Sequence, residues 1–315
     1  MYFKERVNND TPLSLIFKLI GLEKTNVKYL YIYAIFSGLI SLAIPLGIQS
    51  IIGYVMAGRL NTSWFLLAVA ISTFVLFAGL TRLAQISIID SLQRRLFLFF
   101  GERFKIRLMS TKTMISDEKT VLYFLDITTL QKSLSKLLVD FSGKLLQAFF
   151  GLLLLSIYHP LFLIFGGIVL LVVYSVIRLT WKRGFQTARL ESNFKFETAM
   201  DLLNLNREAV DNSKLTAQID RHINNYATFR TSHFGIIYRQ AWLGIITKVV
   251  FTAFMLIIGS YLLVEQSISL GQFLAAEILI ITMLDAIEKL ILTVENLYDC
   301  GIAAEKLDLI SREDD

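Results

Sequence analysis

Long stretches without a charged residue alternate along this chain with long stretches dense in Lys, Arg, Asp and Glu. Tyr29–Gly58 and Trp64–Thr81 contain no Asp, Glu, Lys or Arg. An α-helix rises about 1.5 Å per residue, so about 20 mostly apolar residues cross about 30 Å of hydrocarbon. Each of these runs therefore predicts a spanning helix. Pro45 lies inside the first and removes one backbone donor, which predicts a kink there. A third charge-free run, Leu145–Ile177, is too long for one crossing and is interrupted by His159-Pro160. It predicts two helices meeting in a tight turn. The first of them is expected to begin near Ser133, where Lys136, Asp140 and Lys144 recur at i, i+4 and i+8 and can pair along one face. Ala241–Val264 and Ser269–Thr293, joined by the turn Glu265–Ile268, supply the last two spans.

The fold class that follows is an all-α membrane protein with six transmembrane helices, placed at about 29–58, 63–90, 133–158, 160–181, 241–264 and 269–297. The membrane domain covers 29–298, with tails at 1–28 and 299–315. Two long connections, Arg82–Ser133 and Arg178–Gln240, are charged and poor in Gly and Pro, which predicts helices running on from the membrane into water. The first carries Arg94, Arg95, Arg103, Lys105, Arg107 and Lys112, and the second Arg178, Lys182, Arg183, Arg189 and Lys195. The three short turns carry only Arg59, no charge, and Glu265. Positive residues stay on the cytoplasmic side, so both connections and both termini are predicted there. Ahead of the first span, Thr11-Pro12 suits a helix start, and Leu15, Ile16, Leu19, Ile20 and Leu22 form an apolar stripe. This predicts an amphipathic helix along the membrane surface.

Composition agrees with the pattern. Of 315 residues, 55% are hydrophobic and 18% charged, with a mean hydropathy of +0.58. The net charge of +5 is concentrated where anionic lipid would meet it, which argues for a membrane rather than a nucleic-acid partner. The single Cys300 cannot close an internal disulfide, and no Cys/His cluster has metal-ligand spacing. Met1–Asp10 is polar and lacks a signal-peptide core, so the first span is expected to serve as an uncleaved targeting signal.

Several local segments bear on function. Ser267-Ile-Ser-Leu-Gly-Gln-Phe-Leu-Ala275 opens the last span, and Ala303-Ala-Glu-Lys-Leu-Asp-Leu-Ile310 follows it. Tyr123-Phe-Leu-Asp126 and Leu130-Gln-Lys-Ser-Leu134 precede the third span, and Leu42-Ala-Ile-Pro-Leu46 sits in the first. With six spans ordered by alternating short turns and long excursions, these segments resemble the membrane domain of ABC exporters, with a hint of the peptide- and protein-secretion branch. The resemblance implies a domain-swapped dimer, of two copies or of this chain with a similar one. It also implies nucleotide-binding ATPase subunits that hold ATP and magnesium, and on the secretion branch a periplasmic adaptor protein. No Gly-x-x-x-x-Gly-Lys-Ser/Thr phosphate cradle occurs in these residues, so no cofactor is expected on this chain and it is no enzyme by itself. The ATPase is expected on a separate chain or on a removed C-terminal part. Ser269-Leu-Gly-Gln272 superficially matches the ABC signature but opens an apolar segment.

By the same resemblance each excursion ends in a short coupling helix that docks on an ATPase, at about 116–122 and 201–207. The contacts expected are Asp117, Glu118 and Lys119 at one tip and Leu202, Leu203 and Arg207 at the other. An exposed Leu-Leu-Asn-Leu run at a helix turn otherwise has no partner. In the last span Glu277, Glu288 and Glu295 fall on one narrow arc, and charge at membrane depth must face water or protein rather than lipid. In the resembled family this helix lines the translocation path, so Glu277, Asp285 and Glu288 are the candidates for it, with solvation beyond the membrane as the competing reading for Glu288 and Glu295. Lys248 is expected either to pair with an acid on a neighbouring helix or to snorkel. An export permease leads. A membrane scaffold or regulator without an engine is the first alternative, and a secondary transporter or channel the second, the latter weakened by the lack of Gly/Pro-broken midplane helices.

Overall fold

A computed structural model describes residues 20–21, 23–58, 62–110, 114–205 and 212–312. Over 107–108, 110, 114–120, 212 and 308–312 it describes the backbone alone. The described residues are helical apart from short turns. In chain order the helices are α1 (Lys24–Ser41), α2 (Ala43–Met56), α3 (Thr62–Ser110), α4 (Met114–Lys136), α5 (Ser142–Tyr158), α6 (Pro160–Leu205), α7 (Asn212–Val264) and α8 (Leu270–Arg312). Six helical stretches are long and apolar enough to cross a membrane: α1 with α2, α3, α4 with α5, α6, α7 and α8. This is an all-α, multi-pass membrane architecture. The amphipathic stripe predicted ahead of α1 lies outside the described residues except at Ile20, which packs against a buried cluster of α1, α3, α4 and α8.

The predicted break in the first span is present just before Pro45. Leu42 turns between α1 and α2, its N–H bonding to Leu39 O at 3.1 Å, and α2 restarts with Leu46 N–H on Leu42 O at 3.2 Å. The ring at Pro45 cannot donate to Ser41, which is the bond a continuous helix would need there. His159 is extended and Pro160 opens α6, so the α5–α6 turn forms where the sequence places it. The turn before α8 has Gln266 at φ 60° and ends in a reciprocal cap. Ser269 Oγ accepts from the Gln272 N–H at 3.2 Å, and Gln272 Oε1 accepts from the Ser269 N–H at 2.8 Å. The Ser-Leu-Gly-Gln run is a capping box, two orphan donors satisfied at a helix start. Its Gly271 lets α8 approach α2, since a Cβ there would sit 2.9 Å from Gln49 O.

One local expectation fails. No new helix starts near Ser133; α4 continues into α5 through a π-helical turn, Leu137–Phe141. A π turn adds one residue to the helical repeat and rotates everything beyond it. Lys136, Asp140 and Lys144 therefore lose their shared stripe and form no ion pairs with one another. Lys144 Nζ instead donates to Gln147 Oε1 at 2.9 Å.

The breaks after Gly58, at His159 and at 265–269 lie on one side of the bundle. Counting about 20 residues from them marks the other membrane boundary, and α3, α6, α7 and α8 run well past it. At 49, 46, 53 and 43 residues they leave distal rods of about 35–50 Å. α8 is the hub: half of its most apolar window is buried, against none for α3. Within the membrane, Leu155, Phe162, Phe165, Val169, Met255, Ile280 and Leu284 form one core of α5, α6, α7 and α8. Beyond it, Leu96, Phe100, Ile127, Leu130, Leu134, Cys300 and Ala303 join α3, α4 and α8. Leu66, Leu76, Leu83, Leu171 and Ile257 are exposed on the outer faces, as lipid contact requires. The α6–α7 hairpin packs on α5 and α8 of its own chain, from Phe162 and Met255 down to Tyr298.

Candidate functional site

The far ends of the distal rods hold the residues expected to contact a partner. α6 ends at Leu205, and Leu202 and Leu203 on its last turn are 51% and 43% exposed. Two large apolar side chains stand uncovered at the end of a charged rod, with no lipid to receive them. Arg207 lies outside the described residues. Asp117, Glu118 and Lys119 fall in the first turns of α4, where the backbone alone is described. The stretch 116–122 is thus the beginning of a continuous helix and not a separate short one. Asp201, at the start of the second proposed tip, is buried. Its carboxylate accepts from Gln218 Nε2 at 3.1–3.2 Å and lies 2.9 Å from His222 Nδ1. That contact fastens α6 to α7 immediately before the exposed leucines.

Further toward the membrane the distal rods enclose a cavity of about 540 Å³ between α4, α6, α7 and α8. Glu191 of α6 is its pivot. It accepts from Arg230 Nη1 at 3.1 Å and lies 2.7 Å from His233 Nδ1, while Arg230 also reaches Glu295 of α8 at 3.8 Å. His233 is 2% exposed, and its Nε2 has no partner. Asp299 sits behind this group, about 43 Å along α8 from its outer end and so beyond the hydrocarbon. Burial pushes its carboxyl up to about 6, reinforced by Glu295 and Glu191 against the pull of His233 and Arg230. Tyr298 beside it is fully buried, ringed by Trp181 at 5.3 Å, His233 at 6.1 Å and Phe185 at 6.2 Å. Gly184 is the surface it rests on, with space for no Cβ.

Lys306 ties the fourth rod in. Only 8% exposed, it donates to Ser192 Oγ at 2.7 Å and lies 3.4 Å from Asp126 Oδ2 and 5.6 Å from the Phe196 ring. Burial lowers its pKa, with Asp126 opposing. Tyr123 stacks on Phe196 at 4.6 Å. The segments 123–126 and 303–310, read separately in the sequence, thus meet at Asp126 and Lys306.

The acids of α8 differ in their surroundings. Asp285 accepts a hydrogen bond from Lys248 of α7, and Glu288 lies 3.6 Å from the same ammonium. Lys248 therefore pairs rather than snorkels, and Glu288 and Glu295 are engaged by α7 cations rather than simply solvated. Glu277 differs: it is half-buried within the membrane, and its Oε1 is buried with no hydrogen-bond partner. No family model and no curated protein matches this chain. What the site can do is therefore read from its chemistry alone. Among the described residues no group of three His, Cys, Asp or Glu side chains is placed to hold a metal. The distal charges of opposite sign bind helix to helix. Cys300 is fully buried, and burial pushes its thiol up to about 12, which keeps it a thiol.

Sequence reasoning missed Glu191, Arg230, His233, Tyr298 and Asp299 as a group. They come from three helices and are separated by up to about a hundred residues. The available signal was that each rod carries charge at the same distance past the membrane boundary.

Proposed function

We propose that this chain is the permease subunit of an ABC-type exporter in a bacterial inner membrane, with both termini in the cytoplasm. In this reading it works as a dimer whose helices form the translocation path. The distal rods carry motion from nucleotide-binding subunits, which bear ATP and magnesium, to the membrane helices. A peptide, protein or other amphipathic molecule is the cargo, with a periplasmic adaptor where secretion crosses two membranes. Exchange of the α6–α7 hairpin between copies belongs to this proposal and requires the contacts now made to α5 and α8 to be made to the partner.

The observation that supports it most is the uncovered pair Leu202 and Leu203 at the end of a rod stiffened by Asp201, Gln218 and His222. A rigid lever with an apolar tip needs something to push on it. The experiment is co-purification of the full chain in mild detergent from cells expressing its genomic neighbours, followed by ATPase and transport assays. Wild type should bring down a nucleotide-binding subunit. Leu202→Ser with Leu203→Ser should lose that subunit, or uncouple its ATPase from transport, without disturbing the membrane helices. Wild-type protein recovered with no nucleotide-binding partner refutes the proposal and favours a scaffold. Intact binding and transport in the double variant refute the placement of the tip.

A further inference from the structure

The π turn that frees Lys144 also opens a small polar cavity of about 150 Å³ between α1, α3 and the α4–α5 junction. Arg82 and Gln85 reach it from α3, Asp140 and Lys144 from either side of the π turn's end, Gln147 from α5 and Ser37 from α1. Its depth is defined by the chain: Arg82 stands about 20 residues past the start of α3, about 30 Å along the helix axis. This is the level at which the helices leave hydrocarbon opposite the three short turns.

Two features distinguish the cavity from a packing defect. Gln85, only 6% exposed, makes no hydrogen bond among the described residues, and its amide opens on the cavity it lines. Neither Arg82 nor Asp140 makes a hydrogen bond or ion pair among those residues, and Lys144 bonds only the neutral Gln147. That bond uses Gln147 Oε1, which leaves its amide N–H groups as donors. Two cations and two amides therefore converge on one cavity against a single lining carboxylate, Asp140, while outside the lining Lys289 and Asp285 of α8 act on Lys144 with opposite signs. A site of this kind favours an anion rich in acceptor oxygens.

We propose that this cavity binds an anionic phosphate group at the membrane boundary. Arg82 and Lys144 supply the charge, and Gln85 and Gln147 the orienting donors. The headgroup of an anionic phospholipid and a soluble phosphate ester share this chemistry, and the binding site is open to both.

The test uses the full chain in two settings. Wild type in nanodiscs of phosphatidylcholine, alone or doped with phosphatidylglycerol, is followed by retained lipid in native mass spectrometry and by thermal melting. Inorganic phosphate is titrated separately in detergent. A basic side chain near a membrane surface contributes roughly a fivefold preference for anionic lipid. Arg82→Gln and Lys144→Gln should therefore each weaken retention of phosphatidylglycerol about fivefold, and together about 25-fold. Arg178→Gln, a cation on α6 outside this cavity, should leave it unchanged. Loss of the phosphatidylglycerol effect with no response to inorganic phosphate assigns a lipid headgroup. Protection by inorganic phosphate that disappears in the double variant assigns a soluble ester. Equal retention by wild type and the double variant overturns the proposal, as does an equal loss in Arg178→Gln, which would mean general surface charge. Should the double variant not fold, Asp140→Asn decides: removing the opposing carboxylate should tighten binding about fivefold, and unchanged binding overturns the site.

Discussion

Asp299→Asn isolates the cost of holding a carboxyl inside the distal cluster. Burial and the carboxylates of Glu295 and Glu191 outweigh His233 and Arg230, moving the group from its ordinary 3.8 to about 6. A raised carboxyl pKa means that the folded state prefers the neutral form. Below about pH 4 the group is protonated whether the chain is folded or not, and the variant and wild type should melt together. Between about pH 4 and 6 the unfolded carboxyl ionises freely while the folded one resists, so wild type loses stability relative to the variant. Above about pH 6 the difference reaches a plateau. A shift of about two units at about 1.4 kcal/mol per unit gives roughly 3 kcal/mol. In melting temperature that is on the order of 5 °C for a chain of this size. The assay is thermal unfolding in detergent from about pH 4 to pH 8, reported as variant minus wild type so that other titrating groups largely cancel. A difference independent of pH refutes the reasoning. So does a wild type that is the more stable above pH 6, since Asp299 would then be held as an ion by Arg230 and His233.

Two further substitutions probe the same region. Gly184→Ala would place a Cβ 2.5 Å from Tyr298 Oη and 2.7 Å from Cζ, against a ring with no room to yield, and should cost about 1–3 kcal/mol in the same melt; a harmless alanine would show that α6 and α8 are not in close contact there. Lys306→Met leaves the partly buried Asp126 without its cation. The loss should be about 2 kcal/mol, below the roughly 3–5 kcal/mol of a fully buried pair, and Asp126→Asn in addition should recover most of it in a double-mutant cycle. If the two changes add without coupling, the 3.4 Å contact contributes nothing.

Legibility from sequence followed the range of the interactions. Spans, turns and the break before Pro45 depend on runs of about 20 residues or on one ring, and the positions of Tyr29–Gly58, His159-Pro160 and Glu265–Ile268 all correspond to observed features. The π turn at Leu137–Phe141 did not announce itself, because one extra residue in a helix leaves composition unchanged while rotating Lys144 off the stripe it shares in a regular repeat. The Ser269–Gln272 cap was present in the letters as Ser-x-x-Gln, and became readable as a cap only once the helix start was fixed. Pairs such as Glu191 with His233 and Lys306 with Asp126 lie 42 and about 180 residues apart. No local pattern links them, only the packing of four rods. The exposure of Leu202 and Leu203 was legible because leucines in that run of a charged helix have no apolar stripe to join.

The charges on α8 show how such a bundle can be both defined and movable. Going down the helix, Asp285 and Glu288 meet Lys248, Glu295 meets Arg230, Glu305 lies 3.2 Å from Arg189 of α6, and Lys306 meets Asp126 of α4. Most of these pairs are partly exposed, where each contributes only about 0–1 kcal/mol. The apolar contacts beneath them do not choose among nearby slides of one helix over another, whereas the ion pairs do, because a shift of one turn takes each α8 charge away from its partner. The pairs therefore fix register more than they add stability. In the proposed exporter an ATPase pushing on the α6–α7 tip would have to break this ladder of weak, discrete contacts along α8 pair by pair. Within the membrane Glu277 has no such cation. In the proposed exporter it is the one acidic position on α8 at that depth left free to meet cargo, which is where a moving ladder below it would be felt.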